Sequence, residues 1–368
     1  MRFPLVLTLL LLPSLAAAIP EEGYAERYVK DVEPHYLAGG KTGFITGKGG
    51  VTLSFVAFER EEERGALVYL PGRGGSHVQA MEFFYDMRHS GYSMYAFDHR
   101  GQGLSDRMLD NRFKGHVDSF QDYVDDVKLF MDEVVNQRRH EKVFLMGLSM
   151  GGAVATAYAE QHSHELDGLI LLVPMHQPNY GIFDENAAAV LGLTGVTTGN
   201  ATEYAVTQGD PSDEPPEFED NRSTSSRARW EHSLVLHKQF PDTVLGGVTY
   251  GWGHEVVKAT RKMRNEARLL TMPVVIYQAG QDQVVMNNAQ DQVCNGAPRC
   301  RLVRFEQARH GILNETDDVR DAILDDLQMF MAFHEGRGTV CSCSTPGTAR
   351  VWTGLMLMVV ALLRMRRR

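Results

Sequence analysis

A serine between two glycines, on a turn that joins an apolar run to a helix, constrains the fold of this chain more than any other feature. Val143 to Met146 is a short apolar run, and Gly147-Leu148-Ser149-Met150-Gly151 follows directly. Residues 152 to 159 are small and predict a helix. G-x-S-x-G also arises by chance in glycine-rich chains, but a strand before it and a helix after it favour a nucleophile elbow. Ser149 is therefore the candidate nucleophile.

Other apolar runs alternate with helical patterns along the chain. This alternation predicts an α/β fold, in which a mostly parallel sheet is covered by helices on both faces. The predicted strands are a hairpin at 43–58 and runs at 66–70, 92–97, 169–173, 274–280 and 302–305, and the predicted helices include 78–88, 120–138 and 318–334. In such a sheet the functional side chains gather at the carboxyl ends of the strands.

An acid and a histidine follow two of the later strands. Asp282 lies just after the strand at 274–280, and His310 lies just after the strand at 302–305. Together with Ser149 they have the order serine, acid, histidine, which this architecture requires of a catalytic triad. In a triad the histidine removes the proton of the serine, and the acid orients the histidine.

Two other polar groups compete for these roles. Asp291 is the alternative acid, but it lies within the segment 287–293 and not at the end of a strand. His99 and Arg100 follow the strand at 92–97, before the nucleophile in the chain. We interpret both as structural residues of their loop because the expected order places the histidine last.

A glycine-rich loop, Pro71-Gly72-Arg73-Gly74-Gly75-Ser76, follows the strand at 66–70. Such a loop directs backbone N–H groups at a small anion, but it lacks the Lys-Ser/Thr ending of a phosphate-binding P-loop. In a serine hydrolase it supplies half of the oxyanion hole. The predicted oxyanion donors are the backbone N–H groups of Arg73 and Met150.

Residues 174–269 interrupt the alternating pattern with prolines, acidic residues and helical pieces. We predict that this segment is a cap inserted between core strands. Polar and aromatic residues of the cap either contact substrate or only pack it, so the sequence assigns no substrate-binding residue. The candidates are Asn221, Arg222, Trp230, Trp252 and His254.

The first residues have the pattern of a secretory leader. One basic residue precedes an apolar run from Phe3 to Leu12, and Ala16-Ala17-Ala18 precedes a polar segment. This pattern predicts a signal peptide over residues 1–18, with cleavage after Ala18 and export of the protein. A retained anchor is the alternative.

Residues 336–368 form a distinct tail. Cys341 and Cys343 precede an apolar segment from Val351 to Leu363, and four arginines lie at its end. This tail resembles the short Cys-containing sorting tails of myxobacterial surface proteins. A glycosylphosphatidylinositol signal and a terminal helix packed on the domain are the alternatives. We expect a location at the cell surface or outside the cell, with the tail as a tether.

The cysteine positions and the net charge limit the classes of ligand and partner. Cys294 and Cys300 can close a short disulfide loop in an exported protein. No Cys/His group has convincing zinc spacing, so we expect no metal and no cofactor. The formal net charge of -10 gives no support for nucleic-acid binding.

Four motifs together resemble one family. They are PGRGG at 71–75, DHRGQGLSDR at 98–107, GLSMGG at 147–152 and ARHGILNE at 308–315. The chain is similar over about residues 25–335 to the lysophospholipase L2 and monoacylglycerol lipase family of α/β-hydrolases. The resemblance implies the α/β-hydrolase fold with a helical cap. It carries the family's catalytic and oxyanion roles to Ser149, Asp282, His310, Arg73 and Met150.

The resemblance also implies a substrate class, the carboxylic ester of a single-chain lipid, presented at a membrane surface. Many monoacylglycerol lipases have His-Gly where this chain has Pro71-Gly72, which favours the lysophospholipase branch. The alternatives are a general carboxylesterase of the same fold and a non-catalytic surface binding protein. Head group, acyl-chain length and oligomeric state are not determined by the sequence.

Overall fold

The computed structural model describes residues 18–212 and 214–335. The predicted leader up to residue 17 and the predicted tail at 336–368, with Cys341 and Cys343, lie outside the described residues.

One eight-stranded sheet forms the centre of the molecule, with strand order β1-β2-β4-β3-β5-β6-β7-β8. β1 pairs antiparallel with β2, β2 pairs antiparallel with β4, and every later pairing is parallel. The strands are β1 (Lys41–Thr46), β2 (Thr52–Phe58), β3 (Gly65–Leu70), β4 (Tyr92–Phe97), β5 (Val143–Leu148), β6 (Gly168–Leu172), β7 (Val274–Ala279) and β8 (Cys300–Phe305).

Helices connect the parallel strands, as parallel pairing requires long crossovers. The helices are α1 (Tyr24–Arg27), α2 (Glu33–Gly39), α3 (Met81–Asp86), α4 (Phe120–Glu133), α5 (Met150–Gln161), α6 (Glu185–Thr197), α7 (Arg227–Gln239), α8 (Tyr250–Glu266), α9 (Asn287–Gly296) and α10 (Asp317–His334).

Two apolar cores lie on the two faces of the sheet. Residues of α4, α5, α8 and α9 form one core, and residues of α1, α2, α3, α7 and α10 contribute to the other. The central strands β3 to β7 are buried nearly throughout, which explains why they appear in the sequence as continuous apolar runs. The predicted α/β-hydrolase fold is confirmed.

The segment between β6 and β7 contains α6, α7 and α8. α8 is not separate from the body of the domain, because its Val256 and Met263 are buried in the same core as α5. A disulfide joins Cys294 of α9 to Cys300 of β8. None of the helices in the described part of the chain is long and apolar enough to span a membrane.

Two regions differ from the sequence-based expectation. The helix predicted at 78–88 is a short α3 flanked by single 3-10 turns at His77–Ala80 and Met87–His89. Residues 24–39, for which no element was predicted, form α1, a π-helical turn and α2. Tyr28, Val32 and Tyr36 of this segment are buried at a spacing of four, so a helical signal was present.

Candidate active site

Ser149 lies between the end of β5 and the start of α5, in a backbone conformation that side chains rarely adopt. Its φ is 52° and its ψ is -114°. The strained turn is held by three backbone hydrogen bonds: the Ser149 N–H donates to the Leu172 carbonyl at 2.9 Å, and the Ser149 carbonyl accepts from Met175 and Ala153 at 2.9 and 3.1 Å. Such a strained backbone persists only where surrounding contacts hold it in place, and it is typical of functional sites.

Glycine is required on both sides of this serine because neighbouring backbone approaches too closely for a side chain. A Cβ at Gly147 would lie 2.3 Å from the Gly151 carbonyl oxygen. A Cβ at Gly151 would lie 2.2 Å from the Leu70 carbonyl oxygen, at the end of β3. The G-x-S-x-G spacing therefore packs the elbow against the glycine-rich loop that follows β3.

The structure brings the three predicted catalytic residues together. His310 Nε2 lies 2.8 Å from Ser149 Oγ, and His310 Nδ1 lies 2.8 Å from Asp282 Oδ2. The Asp282 side chain is fully buried, whereas that of His310 is 15% exposed. Both distances permit hydrogen bonds, so a proton can pass from the serine to the imidazole while the carboxylate fixes the other ring nitrogen.

Backbone groups orient the candidate catalytic acid. Asp282 Oδ1 accepts hydrogen bonds from the N–H groups of Val284 and Val285, at 2.8 and 3.0 Å. The second oxygen is thereby left for His310. This arrangement follows from the position of Asp282 in the turn after β7.

A buried glutamate holds the histidine loop and was missed from the sequence. Glu315 Oε1 accepts from the Arg309 N–H at 2.7 Å, and Glu315 Oε2 accepts from the Ser225 N–H at 3.0 Å. Glu315 is 1% exposed. It joins the loop of His310 to the segment before α7. The only signal in the sequence was a carboxylate five residues after the candidate histidine.

The two predicted oxyanion donors lie beside the nucleophile. Met150 is the first residue of α5, where N–H groups have no intrahelical partner. The loop of Arg73 approaches the nucleophile through the preceding residue, since a Cβ on Gly72 would lie 3.4 Å from Ser149 Cβ. In the part of the chain that the structure describes, the Arg73 N–H donates to no protein oxygen. Both groups are placed to hold a negatively charged oxygen.

Gln102 supports the oxyanion loop, and sequence reasoning did not assign it this role. Its Nε2 donates to the carbonyl oxygens of Gly72 and Gly75, at 2.7 and 3.0 Å, and its Oε1 accepts from the Gly74 N–H at 3.3 Å. Asp98 also holds this loop, because its carboxylate accepts a hydrogen bond from Ser76 Oγ at 2.6 Å. The motif after β4 therefore positions the loop after β3.

The Arg73 side chain is partly buried and contacts a carbonyl oxygen and an aromatic ring. It donates to the Gly246 carbonyl oxygen and lies 5.6 Å from the ring centroid of Trp252, while its Nε is buried without a partner. Burial lowers the pKa of the Arg73 guanidinium to about 10. The side chain therefore connects the oxyanion loop to the segment before α8. The buried arginines that pair with carboxylates instead are Arg100, Arg229, Arg264 and Arg320.

The competing residues have partners other than Ser149 and His310. His99 is fully buried beside Phe97 and Tyr123, and burial lowers its pKa to about 4. Arg100 pairs with a buried aspartate of α4. Asp291 accepts a hydrogen bond at 3.2 Å from a glutamine of β7 and does not contact His310.

The cap candidates separate into packing residues and surface residues. Asn221 is buried, and its Oδ1 accepts two backbone N–H groups of its own turn. Trp230 packs edge-on against a phenyl ring of the cap, and Trp252 is buried in the apolar core. Arg222 is exposed and His254 is half-buried. Of the five, Arg222 is the one that presents a charge to solvent.

A polar cavity of about 310 Å³ lies beside the loops that carry Asp282 and His310. Its lining combines both signs of charge with amide side chains: Glu219, Asp220, Asn221, Arg222, Gln281, Gln283 and Arg309. Among the described residues, no group of three or more His, Cys, Asp and Glu side chains is arranged to hold a metal ion.

Comparison with known proteins agrees with this geometry. The model of the serine aminopeptidase S33 family of hydrolases matches residues 61–317, which include all three triad residues. The chain belongs to this family. The S33 match spans the sheet from the strand after the hairpin to the histidine loop.

The proteins to which this chain is similar include lipid hydrolases. The chain is 31% identical over 297 residues to lysophospholipase L2 of Escherichia coli (strain K12), covering 79% of this chain and 87% of that protein. It is 22% identical over 272 residues to monoglyceride lipase of Rattus norvegicus, covering 73% and 82%. The structure of a soluble variant of monoglyceride lipase from Saccharomyces cerevisiae superposes with a TM-score of 0.63 at 20% identity, covering 80% and 96%.

These similarities confirm the family resemblance that the four motifs predicted. Family and triad geometry together make the protein a serine hydrolase of carboxylic esters.

Proposed function

We propose that this enzyme cleaves the ester of a single-chain lipid, a lysophospholipid in preference to a monoacylglycerol. The hydrogen-bonded set of Ser149, His310 and Asp282 carries the proposal, because it supplies an activated nucleophile on a strained elbow. The names of the relatives, lysophospholipase L2 and monoglyceride lipase, support a lipid ester as substrate.

The mechanism follows from the positions of the groups. Ser149 Oγ attacks the ester carbonyl carbon while His310 Nε2 takes its proton. The N–H groups of Arg73 and Met150 hold the resulting oxyanion, each contributing on the order of 3 kcal/mol. His310 then gives the proton to the departing alcohol, which leaves an acyl group on Ser149. A water molecule then attacks the acyl group while His310 takes its proton, and the fatty acid is released as Ser149 regains its hydrogen.

The leaving alcohol must lie on the side of His310, since that residue protonates it. The polar cavity lined by direct neighbours of Asp282 and His310 contains Arg222 and Arg309 together with Glu219 and Asp220. A phosphodiester is a stronger acceptor for guanidinium groups than a glycerol hydroxyl. Glu219 and Asp220 bring the formal charge of this cavity to zero, but its two guanidinium groups can still bind a phosphodiester. The Pro71-Gly72 sequence also favours the lysophospholipid.

We also propose that the enzyme acts outside the cytoplasm, at a membrane surface. The leader pattern of residues 1–18 supports export, and the tail at 336–368 supports a tether at the cell surface. A lipid substrate presented by a membrane is consistent with this location.

The proposal is tested by measuring fatty-acid release from lysophosphatidylcholine and from monoolein by the chain that begins at Ile19. The matched control is Ser149→Ala, in which we expect release to fall by at least about 10³-fold because no other group replaces the nucleophile.

We expect the larger kcat/KM on lysophosphatidylcholine. A larger value on monoolein would reverse the choice of head group. Cleavage of short p-nitrophenyl esters without release from either lipid would indicate a general carboxylesterase. If a fluorophosphonate failed to label Ser149 in the folded protein, the result would favour a non-catalytic binding protein over an enzyme.

A further inference from the structure

A cluster of five charged side chains, four of them buried, contacts the segment that follows the histidine loop. Arg320 and Arg229 both donate from Nε to Glu82 Oε1, each at 3.0 Å. Arg320 Nη2 lies 2.5 Å from Asp86 Oδ2, and Arg229 Nη1 lies 2.9 Å from Asp317 Oδ1. The cluster joins α3, α7 and α10, and we refer to these five residues as the buried charge cluster.

The buried charge cluster contains one more acidic side chain than basic side chains. Two guanidinium groups face three carboxylates, so the five side chains sum to -1 when Asp86 is ionised. Asp86 is one of the carboxylates of this cluster, and its side chain is only 1% exposed. Burial, with Glu82 nearby and despite Arg320, raises the pKa of Asp86 to about 7. A buried carboxylate in this setting is stabilised by a further cation.

Asp86 also lacks good hydrogen bonds. The Ile19 N–H and Arg320 Nη2 both lie beside its carboxylate, yet neither oxygen receives a hydrogen bond of good geometry. Buried carboxylate oxygens are normally satisfied. Additional donors at the position of the Ile19 nitrogen would correct this.

Ile19 is fixed at this position by its own contacts. It is 4% exposed, and its carbonyl oxygen accepts from Arg229 Nη2 at 2.9 Å. Two residues later the Glu21 N–H donates to Asp317 Oδ2 at 2.9 Å. The nitrogen of Ile19 is therefore held beside Asp86 by bonds on the residues that follow it.

The sequence predicts cleavage immediately before this residue. Ala16-Ala17-Ala18 has the small-residue pattern that precedes a signal-peptidase site, and the first residue after it is Ile19. The leader pattern and the buried charge cluster are independent observations, one from the sequence and one from tertiary contacts, and they point to the same peptide bond.

We propose that cleavage of the Ala18–Ile19 bond creates a buried ammonium at Ile19 that pairs with Asp86 and completes the buried charge cluster. Hydrolysis consumes one water, leaves Ala18 as a carboxylate and leaves Ile19 with an ammonium group. The ammonium replaces one N–H donor by three and, with Asp86 ionised, brings the cluster from -1 to neutral. The proposal rests on the predicted leader and does not depend on which ester the enzyme cleaves.

The new ion pair is connected to the catalytic histidine. Arg229, which holds the Ile19 carbonyl, also donates from Nη1 to the Glu315 carbonyl oxygen at 2.9 Å. The Glu315 side chain in turn holds the Arg309 N–H, one residue before His310. Arg229 and Glu315 therefore connect the Ile19 segment to the loop that carries His310.

The first experiment identifies the N-terminus. We expect N-terminal sequencing of the exported protein to begin Ile19-Pro20-Glu21. We expect the Ile19 amine of the folded protein to react with acetic anhydride at pH 7 at least about 100-fold more slowly than in urea, since only unfolding exposes it. Exposed lysines of the same sample serve as the reactive standard. A different first residue, or an amine that reacts like the lysines, would overturn the proposal.

The second experiment tests the ion pair. We compare the chain that begins at Ile19 with the same chain preceded by Gly-Ser, which moves the ammonium away from Asp86. The extended chain should have a Tm lower by at least about 2 °C. Asp86→Asn should lower the Tm of the Ile19 chain more than that of the extended chain, because two groups in contact are not additive.

Glu26→Gln, on the exposed surface of α1, is the matched control and should lower the Tm of both chains equally or not at all. Equal Tm values for the two N-termini would disprove the pairing. If Asp86→Asn does not fold, the reactivity of the Ile19 amine and the Tm difference between the two chains still test the proposal. Neither readout uses lipid hydrolysis, so a failure here is distinct from a failure of the proposed ester activity.

Discussion

At the scale of single residues, the tautomer of His310 decides whether Ser149 is activated. Two backbone N–H groups occupy Asp282 Oδ1, so Oδ2 alone faces His310 Nδ1. A carboxylate there can only accept, which places the ring proton on Nδ1 and leaves Nε2 free to take the serine proton.

Asp282→Asn should reverse this tautomer. The backbone N–H groups would hold the amide oxygen, and the NH₂ would face Nδ1, so the ring proton would move to Nε2. We expect kcat on p-nitrophenyl butyrate to fall by about 10³- to 10⁴-fold with little change in Tm. Asp291→Asn, in the competing acid of α9, should keep kcat within about threefold. A comparable loss in both variants would contradict the assignment of Asp282.

At the scale of elements, the loop after β3 is positioned by the loop after β4. Gln102 connects to three backbone groups of the oxyanion loop, and Asp98 holds its last residue. β3 and β4 are parallel neighbours, so these two loops leave the sheet at the same edge. The position of the proposed oxyanion donor at Arg73 therefore depends on a side chain from the loop after the neighbouring strand.

Gln102→Met keeps the size of the side chain but removes these hydrogen bonds. We expect kcat to fall by about 10-fold or more while KM changes little, because the oxyanion forms only in the transition state. Gln121→Met, on the exposed surface of α4, provides the control and should leave both constants unchanged. A lower Tm without a lower kcat would show that Gln102 is only structural.

At the scale of the whole molecule, the sequence predicted what is encoded locally. The buried strands β3 to β7 appear as apolar runs because both of their faces are covered, and Ser149, Asp282 and His310 were found because each follows a strand. Contacts between distant segments have no local pattern. Glu82 meets Arg229 and Arg320 across 147 and 238 residues, so the buried charge cluster was not predictable.

Glu160 illustrates a second distant contact, between α5 and α8. One of its carboxylate oxygens is buried without a partner. Burial, together with Glu266 and despite Lys262, raises the pKa of Glu160 to about 8. The folded state therefore binds this proton more tightly than the unfolded state does. The resulting stability is complete below the unfolded pKa of 4.5 and is lost as the pH rises to about 8.

Glu160→Gln should remove this dependence because the amide stays neutral at every pH. We expect the Tm of the variant to exceed that of the natural protein by at least about 2 °C at pH 8.5 and to match it near pH 4.5, measured by calorimetry. Glu133→Gln, at the exposed end of α4, is the matched control and should shift Tm equally at both pH values. If the gain of Glu160→Gln were the same at pH 4.5 as at pH 8.5, the carboxyl would not be protonated in the folded state, and the contact between α5 and α8 would be stabilised in another way.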